Sequence, residues 1–247
     1  IYSKCGKKVT NAPFHAEVIE LDNVGRCDHS FAYWMARMAD DTPDNDVIIF
    51  MKDNRDMHQV ANWRTLSDML RITSVQGFAC GQILQTRNCH EFVGERKVVA
   101  KYSLSTYHKL SGLLLFHSQN YVRNPDTDKD NEFKSKYVNM GEWVNDLKMP
   151  FPSSLVQVCY GANFAVEASR IKKHKRDFWQ RLEQSLSRGD NIEEGHFAER
   201  SWAGLLSKPL TDKEQLAVYF KSTQAVNHHL RCCVNEPYVG ILVSDTK

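Results

Sequence analysis

Four consecutive polar side chains follow a short apolar segment of the chain. The apolar residues VIIFMK, 47–52, are followed directly by Asp53, Asn54, Arg55 and Asp56. Carboxylates suit Mg²⁺ or Mn²⁺, because these cations prefer oxygen ligands. A guanidinium suits phosphate, which it binds with two parallel hydrogen bonds. The cluster predicts a phosphate-binding site with a metal ion on Asp53 and Asp56; an ordinary exposed turn is the alternative.

A second candidate site lies in LDNVGRCDHSFAYWM, residues 21–35. Asn23 and Gly25 predict a turn, and Arg26 offers its guanidinium to phosphate. The N-terminus of the helix predicted to follow favours an anion through its dipole. The segment therefore predicts a resting place for a diphosphate. A capped helix with Arg26 in solvent is the alternative.

A third candidate site combines YGANFAV, 160–166, with EEGHFAERSWAGLL, 193–206. On a helix, His196, Glu199 and Trp202 lie on one face, because they are spaced three residues apart. A carboxylate beside an aromatic ring is typical of a sugar site, where the ring packs on C–H groups and the carboxylate accepts a hydroxyl proton. The alternative is a core Trp202 with Glu199 paired to an arginine such as Arg200.

Helices and strands must position these residues, and the pattern around the first cluster predicts both. Residues 28–40 carry apolar side chains at the spacing of a core-facing helix, with Asp28 as its N-cap: Phe31, Trp34, Met35 and Met38. The residues 41–46 predict a turn and 47–52 a buried strand. A helix, a turn and a buried strand in succession indicate the α/β class, in which ligands bind at the carboxyl ends of strands.

Further elements are predicted along the chain. The apolar patterns predict helices and strands over the following ranges: helices 58–70, 106–117, 168–186 and 193–206, and strands 97–103 and 153–166, the latter broken at Gly161. A further helix begins with the capping box Thr211 to Glu214. The polar residues 124–136 predict a surface loop, with a lid over a ligand as the alternative.

Composition excludes some classes of protein. The net charge of +2 over 247 residues argues against a dedicated nucleic-acid binder. The apolar runs are far shorter than the roughly 20 residues of a membrane span. Seven scattered cysteines do not predict a disulfide scaffold, and their odd number leaves at least one thiol unpaired. The opening IYSK, 1–4, reads as the end of a strand, so an upstream segment, with any targeting signal, is expected.

The motifs occur in an order that resembles a family of uncharacterised proteins similar to GT-A nucleotide-sugar glycosyltransferases. The resemblance spans roughly residues 1–206 and rests on NVGR with the following His29 and Tyr33, the strand ending in KDN, YGANFAV, and GHFAERSWAGLL. It implies an α/β, GT-A-like (Rossmann-like) single domain over 1–247, with a mixed central sheet flanked by helices. Residues 1–150 would bind the nucleotide sugar, and 151–247 would form the acceptor side.

The same resemblance implies the reaction: a sugar passes from a UDP- or GDP-sugar donor to a hydroxyl of a glycan or glycoprotein acceptor, with Mn²⁺ or Mg²⁺ as cofactor. GT-A enzymes often carry Asp-x-Asp on a strand, whereas this chain has KDNRD, so Lys52 or Arg55 is an alternative to the metal. Glu199 would be the base of an inverting displacement, with a retaining course as the alternative, since the sequence does not fix the face that the acceptor approaches.

The resemblance also distributes the remaining roles. The donor-binding residues would be those of the first two candidate sites: Asn23, Gly25, Arg26, Asp53, Asn54 and Arg55. The acceptor-binding residues would be Tyr160, His196 and Trp202. A Golgi or secretory lumen is expected if the upstream segment is an anchor, and the cytoplasm otherwise.

Two other classes of function remain as alternatives. Glu95, Arg96 and Lys97, with Pro43 and Asp44, imitate the acidic pair and Glu-x-Lys pattern of a metal-dependent nuclease. A non-catalytic nucleotide-sugar or glycan-binding module would explain the absent Asp-x-Asp.

Two further patterns have simpler explanations. The cationic side chains of 168–186 fit a solvated helix face better than a grip on a polyanion. The sequence NHHLRCC, 227–233, has zinc-ligand spacing in His228, His229, Cys232 and Cys233, but it lacks a second ligand pair and more simply predicts a helix end.

Overall fold

The computed structural model describes residues 1–4, 6, 8–52, 64–82, 107–118, 133–152 and 155–216. They form a mixed α/β protein, which confirms the predicted class. Its helices are α1 Arg26–Met38, α2 Leu66–Gln76, α3 Leu110–Leu114, α4 Met140–Leu147, α5 Ala168–Ile171, α6 Arg176–Ser185 and α7 Glu193–Leu206. Its strands are β1 Tyr2–Ser3, β2 Ile19–Glu20, β3 Val47–Phe50, β4 Phe78–Cys80, β5 Tyr107–Lys109, β6 Leu155–Gln157 and β7 Phe164–Glu167.

The chain divides into two compact units built from interleaved segments. The first unit comprises Ile1–Asp46, Leu114–Met149 and Ala168–Glu199. The second unit comprises Val47–Leu113, Pro150–Glu167 and Arg200–Lys247. A single domain with halves 1–150 and 151–247 stays a prediction.

In the first unit, α1 packs against α6. Phe31 and Met35 of α1 are buried, as their spacing predicted, whereas Met38 in the last turn is 45% exposed. The helix begins at Arg26, two residues before the predicted start, and its N-cap is Gly25. Asp28 lies buried in the first turn instead of capping the helix.

The predicted helix 168–186 is two helices, α5 and α6, in this structure. Lys175, the N-cap of α6, has an extended backbone (φ −64°, ψ 152°), which breaks the continuous helix. Two cationic side chains beside this break form ion pairs with carboxylates of the segment 40–44. Lys172 pairs with Asp44 at 2.7 Å, and Arg176 pairs with Asp40 at 2.9 Å. These cations are therefore bound to carboxylates of the protein.

The sheet of the second unit has the strand order β3-β7-β4, with β7 antiparallel to both neighbours. In the register, Phe50 of β3 and Cys80 of β4 both lie opposite Phe164 of β7. The strands β3 and β4 therefore run in the same direction and end at the same edge. We call this edge, with residues 51–52, 81–82 and the turn 160–163, the sheet edge. Apolar side chains of α2 cover the sheet, Met69 and Ile72 packing with Ala79 and Ala165.

The described strands form small separate sheets instead of the one central sheet that was predicted. Besides β3-β7-β4, β1 pairs with β2 in parallel and β5 pairs with β6 antiparallel. The predicted helix 106–117 is wrong at its start, because Tyr107–Lys109 pairs with Leu155–Gln157 and only then continues into α3. This pairing depends on residues far apart in the sequence.

The other predicted helices and strands agree in part with the structure. The helix predicted over 58–70 lies partly outside the described residues, and α2 begins after the N-cap Thr65 and continues to Gln76. The strand predicted over 153–166 is interrupted at Gly161, as expected, and gives β6 and β7. The helix 193–206 is confirmed as α7. In the described ranges, no helix has the length and apolar composition needed to cross a membrane.

Candidate functional site

Asn163 connects the two strand ends at the sheet edge. Its side-chain Oδ1 accepts a hydrogen bond of 2.7 Å from the backbone N of Lys52, two residues after β3. Its backbone O accepts one of 2.7 Å from the backbone N of Gly81, directly after β4. One residue therefore fixes both segments that leave the sheet at this edge.

The turn that carries Asn163 has an unusual backbone. Gly161 and Ala162 both have positive φ, at 83° and 50°. Glycine adopts this conformation readily, but a fully buried alanine there costs about 1–2 kcal/mol. Gly81, on the opposite segment, is required by close packing, because a Cβ there would lie 2.8 Å from the backbone O of Asn163. The turn and the end of β4 are thus in direct contact.

A disulfide also holds the turn to the end of β4. Cys80 and Cys159 are bonded, with Cα atoms 5.5 Å apart and a sequence separation of 79. The sequence did not identify this pair, because seven scattered cysteines allow many pairings and no spacing singles out this one. Cys27 of the first unit is not in a disulfide.

The side-chain amide of Asn163 has an unused donor. The residue is 1% exposed, and its Nδ2 atom has no hydrogen-bond partner. The orientation of the amide is set by the bond that Oδ1 accepts from Lys52. A buried donor without a partner costs roughly 1–3 kcal/mol. Such a group in a folded protein calls for an explanation, such as a role in binding.

Arg64 forms hydrogen bonds with the segment 80–82, at the end of β4. Its Nη1 donates to the backbone O of Cys80 at 2.7 Å and to that of Gln82 at 3.0 Å, and its backbone N donates to Gly81 O at 2.7 Å. Among the described residues, no carboxylate lies within 4 Å of its guanidinium. Burial lowers the pKa of Arg64, with nearby Asp68 acting in the opposite direction. Arg64 is therefore a partly buried cation bonded to neutral carbonyl groups.

The most important predicted residues lie outside the described part of the chain. These are the residues of the first cluster: Asp53, Asn54, Arg55 and Asp56. The structure describes Lys52, immediately before them, at the sheet edge. Within the described residues, no group of three His, Cys, Asp or Glu side chains is placed to hold a metal ion. The metal site on Asp53 and Asp56 stays a prediction.

The turn predicted at Asn23, Gly25 and Arg26 belongs to the first unit. Gly25 has φ 55°, and a Cβ there would lie 2.3 Å from Leu186 O, so both conformation and space demand glycine. Arg26 follows with φ 47° and is exposed. The ammonium of Lys4 donates to the backbone O of Arg26. The turn is present as predicted, the exposure of Arg26 fits both the prediction and its alternative, and the binding of a diphosphate stays a prediction.

His29 and Tyr33, the motif residues that follow this turn, lie in a cluster of charged and aromatic side chains that contact one another; we call it the paired cluster. His29 is buried, with Nδ1 3.5 Å from Lys4 Nζ and Nε2 4.0 Å from a carboxylate oxygen of Glu183. Burial first, and then the charge of Lys4, lowers the pKa of His29 to about 4. Glu183 also binds Arg37 at 2.6 Å, and the Arg37 guanidinium lies 3.6 Å from the ring centre of Tyr33. This cluster joins α1 to α6.

The residues predicted for the acceptor differ in their exposure. Trp202 is 0% exposed and packs on Phe164 of the sheet, with ring centres 6.0 Å apart. Its indole therefore lies in the core, as the alternative interpretation held, and presents no surface to a sugar. Tyr160 is partly exposed in the turn of the sheet edge, with the Arg200 guanidinium 5.3 Å from its ring centre.

The other two residues predicted from α7 are partly exposed. His196 lies with its ring centre 5.6 Å from that of Phe133. Glu199 lies one turn further along the helix. Their roles in acceptor binding and catalysis stay predictions. The nuclease residues Glu95, Arg96 and Lys97 and the zinc pattern 228–233 lie outside the described residues.

Comparison with known proteins adds no relative. No family model, no curated protein and no solved structure matches this chain. The function is therefore inferred from the residues and their geometry. The sheet edge combines the common end of β3 and β4 with the cations Lys52 and Arg64.

Proposed function

We propose that the chain is a GT-A-type glycosyltransferase that moves a hexosyl or pentosyl group from a nucleoside-diphosphate sugar to an acceptor hydroxyl. The observation that carries the proposal is the sheet edge. There β3 and β4 end together, and the sequence Asp53-Asn54-Arg55-Asp56 follows β3 after Lys52. Ligands of α/β proteins collect at the carboxyl ends of strands with a common direction.

Charge at this edge supports a diphosphate ligand. Lys52 and Arg55 supply positive charge in sequence next to the carboxylates, and Arg64 adds a cation. In the proposed reaction these cations bind the donor diphosphate and stabilise it as the leaving group. The oxygen ligands Asp53 and Asp56 suit Mn²⁺ or Mg²⁺, and a cation held there would neutralise charge on the departing diphosphate.

Glu199 is the proposed base. A carboxylate on a 14-residue helix is held in a defined position, and its partial exposure leaves room for an acceptor. It would accept the proton of the attacking hydroxyl, and attack opposite the leaving group inverts the anomeric centre. Tyr160 and His196 remain proposed acceptor contacts, whereas the buried Trp202 is assigned to the core.

The disulfide supports a secretory location. Disulfides form and persist in oxidising compartments and are rare in the cytosol. Cys80–Cys159 therefore favours the Golgi or secretory lumen, where glycans and glycoproteins are acceptors. This location belongs to the proposal.

A non-catalytic nucleotide-sugar-binding module is the second candidate. The sequence KDNRD in place of Asp-x-Asp favours it, since a lost metal ligand removes catalysis and leaves the fold. For the nuclease alternative, the described residues include only Pro43 and Asp44, and Asp44 is paired with Lys172.

Release of nucleoside diphosphate tests the proposal. The protein is incubated with UDP-glucose, UDP-N-acetylglucosamine, UDP-xylose or GDP-mannose, with and without Mn²⁺ and with a mixture of glycan acceptors. One donor is expected to release its nucleotide, and Glu199→Gln to slow this release about 10²- to 10⁴-fold, the typical contribution of a general base.

One control variant and two further outcomes define the result. Glu20→Gln, at an exposed site on β2, is expected to leave the rate unchanged. Binding of a nucleotide sugar without release would favour the binding module. Equal rates in the wild type and Glu199→Gln would remove Glu199 from the mechanism.

A further inference from the structure

A disulfide and two hydrogen bonds tie the turn of the sheet edge to the strand ends beside it. The disulfide joins Cys80, the last residue of β4, to Cys159, which directly precedes the turn. The hydrogen bonds run to Asn163 at the other end of the turn, from Gly81 N to its backbone O and from Lys52 N to its side-chain Oδ1, both at 2.7 Å. Both strand ends are therefore held by a turn that the disulfide anchors.

The backbone conformation of this turn depends on such an anchor. Gly161 and Ala162 have φ of 83° and 50°, and a positive φ is unfavourable for alanine because its Cβ lies too close to a neighbouring carbonyl oxygen. A residue in this conformation persists when the surrounding structure holds it there. The disulfide at Cys159, three residues earlier, does so covalently. Once it is broken, the hydrogen bonds of Asn163 have to hold the turn without a covalent link to β4.

The disulfide can be attacked from solvent at one of its two cysteines. Cys80 is partly exposed, whereas Cys159 is fully buried, so a dithiol approaches the bond from the side of Cys80. The buried sulfur of Cys159 lies 3.6 Å from the backbone O of Asn163. The thiol that reduction leaves at Cys159 therefore has an acceptor within the fold, and free cysteine is among the residue types that protein cores bury most often. The core accommodates the pair in its oxidised and in its reduced state.

We propose that Cys80 and Cys159 form a reversible redox switch of the sheet edge. In the oxidised form, the bond fixes the turn, and Asn163 holds the backbone of Lys52 and Gly81. In the reduced form, both strand ends are released. The first polar cluster of the sequence follows Lys52 directly, so the redox state controls the strand end that carries this cluster. Control of nucleotide-sugar binding by the switch rests on the proposed function, whereas the switch itself does not.

Reduction by a dithiol proceeds in two exchanges. The first thiolate of the dithiol bonds to the sulfur of Cys80 and displaces the sulfur of Cys159, which takes up a proton. The second thiolate then bonds to the first sulfur of the dithiol, which closes a cyclic disulfide and displaces Cys80 as a thiolate that is protonated in turn. The dithiol loses two electrons and two protons, and the cysteine pair gains them. Oxidised glutathione, as a disulfide oxidant, reverses the reaction.

Amide hydrogen exchange, followed by NMR, tests the switch at the two N–H groups that bond to Asn163. The protein is compared in its oxidised form, after reduction with dithiothreitol and after reoxidation with oxidised glutathione. Alkylation with iodoacetamide and peptide mapping confirm the state of Cys80 and Cys159. Exchange at Lys52 and Gly81 is expected to become about tenfold faster or more on reduction and to return on reoxidation. Exchange in α1 of the first unit is expected to stay unchanged.

The double variant Cys80→Ser/Cys159→Ser is the matched control. Its exchange at Lys52 is expected to equal that of the reduced wild type and not to respond to dithiothreitol. A response of the same size in this variant would place the effect at other cysteines and overturn the switch. Faster exchange throughout α1 when the wild type is reduced would show that the bond is needed for the whole fold, which also overturns a switch confined to the sheet edge.

The outcomes separate the switch from the proposed reaction. Reversible changes of exchange at Lys52 and Gly81, without release of nucleotide from any sugar donor, support the switch and contradict the glycosyltransferase. Release of nucleotide, with the same exchange rates in the oxidised and reduced protein, supports the enzyme and overturns the switch. Unchanged exchange after complete reduction overturns the switch whether or not the protein is active.

Discussion

The buried and half-buried charged groups of the two compact units have different partners. In the first unit, the buried carboxylate Glu193 accepts from two backbone N–H groups, and His29 and Arg37 both lie against Glu183. In the second unit, Arg64 bonds to carbonyl groups with no described carboxylate within 4 Å. A buried donor without a hydrogen-bond partner occurs in both units: Trp143 Nε1 in the first and Asn163 Nδ2 in the second.

The difference distinguishes groups that stabilise the fold from those that we propose to bind a ligand. A paired charge gains its stabilisation inside the protein, and loses it if a ligand competes for the partner. A cation bonded only to neutral carbonyl groups keeps its charge uncompensated by a carboxylate of the protein. The paired cluster of the first unit therefore supports the packing of α1 on α6, and the sheet edge of the second unit is where we propose that a ligand binds.

Loss of the disulfide is expected to have the largest effect on stability. Cys80 and Cys159 close a long loop, and in the double variant Cys80→Ser/Cys159→Ser the free energy of unfolding should fall by about 4 kcal/mol, because the unfolded chain gains entropy. Denaturant unfolding measures it, with Cys27→Ser as the control in the first unit. An unchanged transition would mean that the sheet edge is held without the crosslink.

Loss of the Glu193 carboxylate is expected to have the next largest effect on the free energy of unfolding. It is 2% exposed, and its two carboxylate oxygens accept from Ser118 N at 2.7 Å and Ser135 N at 3.0 Å, with Lys134 Nζ 3.6 Å away. Glu193→Ala leaves both N–H groups without their acceptor and should cost about 3 kcal/mol. Glu193→Gln keeps one acceptor and should cost less. Chemical denaturation compares them, and equal stability of all three proteins would show that this pairing has no structural weight.

His29 is expected to make a smaller contribution to stability, and this contribution depends on pH. Its pKa is lowered to about 4 in the folded protein, so the unfolded chain binds the proton first as pH falls below the ordinary value of 6.5. The neutral imidazole therefore contributes its full stability above pH 6.5 and loses it between pH 6.5 and about 4. The groups that act on it are Lys4, Glu183, Arg37 and Asp22.

The substitution His29→Gln removes the imidazole and so isolates its contribution to the pH dependence of stability. Between pH 7.5 and 4.5, the wild type should lose about 2 kcal/mol more stability than His29→Gln, which has no proton to bind there. Urea unfolding at the two pH values measures the difference. Identical pH profiles would contradict the assignment of a neutral buried His29.

Local patterns predicted much of the helical structure. The helix α7 was predicted with its observed bounds, and the capping box at Thr211 is present, with Glu214 N donating to Thr211 Oγ1 at 3.3 Å. These features depend on neighbours within one turn of the chain, which is why the sequence alone indicates them.

Features that depend on distant partners were not predicted. The strand β5 forms by pairing with β6. The disulfide joins Cys80 and Cys159, which have a sequence separation of 79. Arg64 lay in no motif, and Asn163 lay in YGANFAV without an assigned role, because their hydrogen bonds to residues 80–82 join separate segments of the chain. The glycine in YGAN was a local signal of a turn, but it did not identify the residue two positions later.

The proposed role of the sheet edge is tested most directly by thermal unfolding with nucleotides. Wild type and Asp53→Ala are compared with UDP, GDP, CMP and their sugar conjugates, with and without Mn²⁺. A ligand at 100 times its Kd stabilises the folded state by about 2.7 kcal/mol. One nucleotide family should raise Tm in the wild type, and Asp53→Ala should abolish the rise. No shift with any nucleotide or sugar conjugate would contradict a nucleotide-sugar site at this edge.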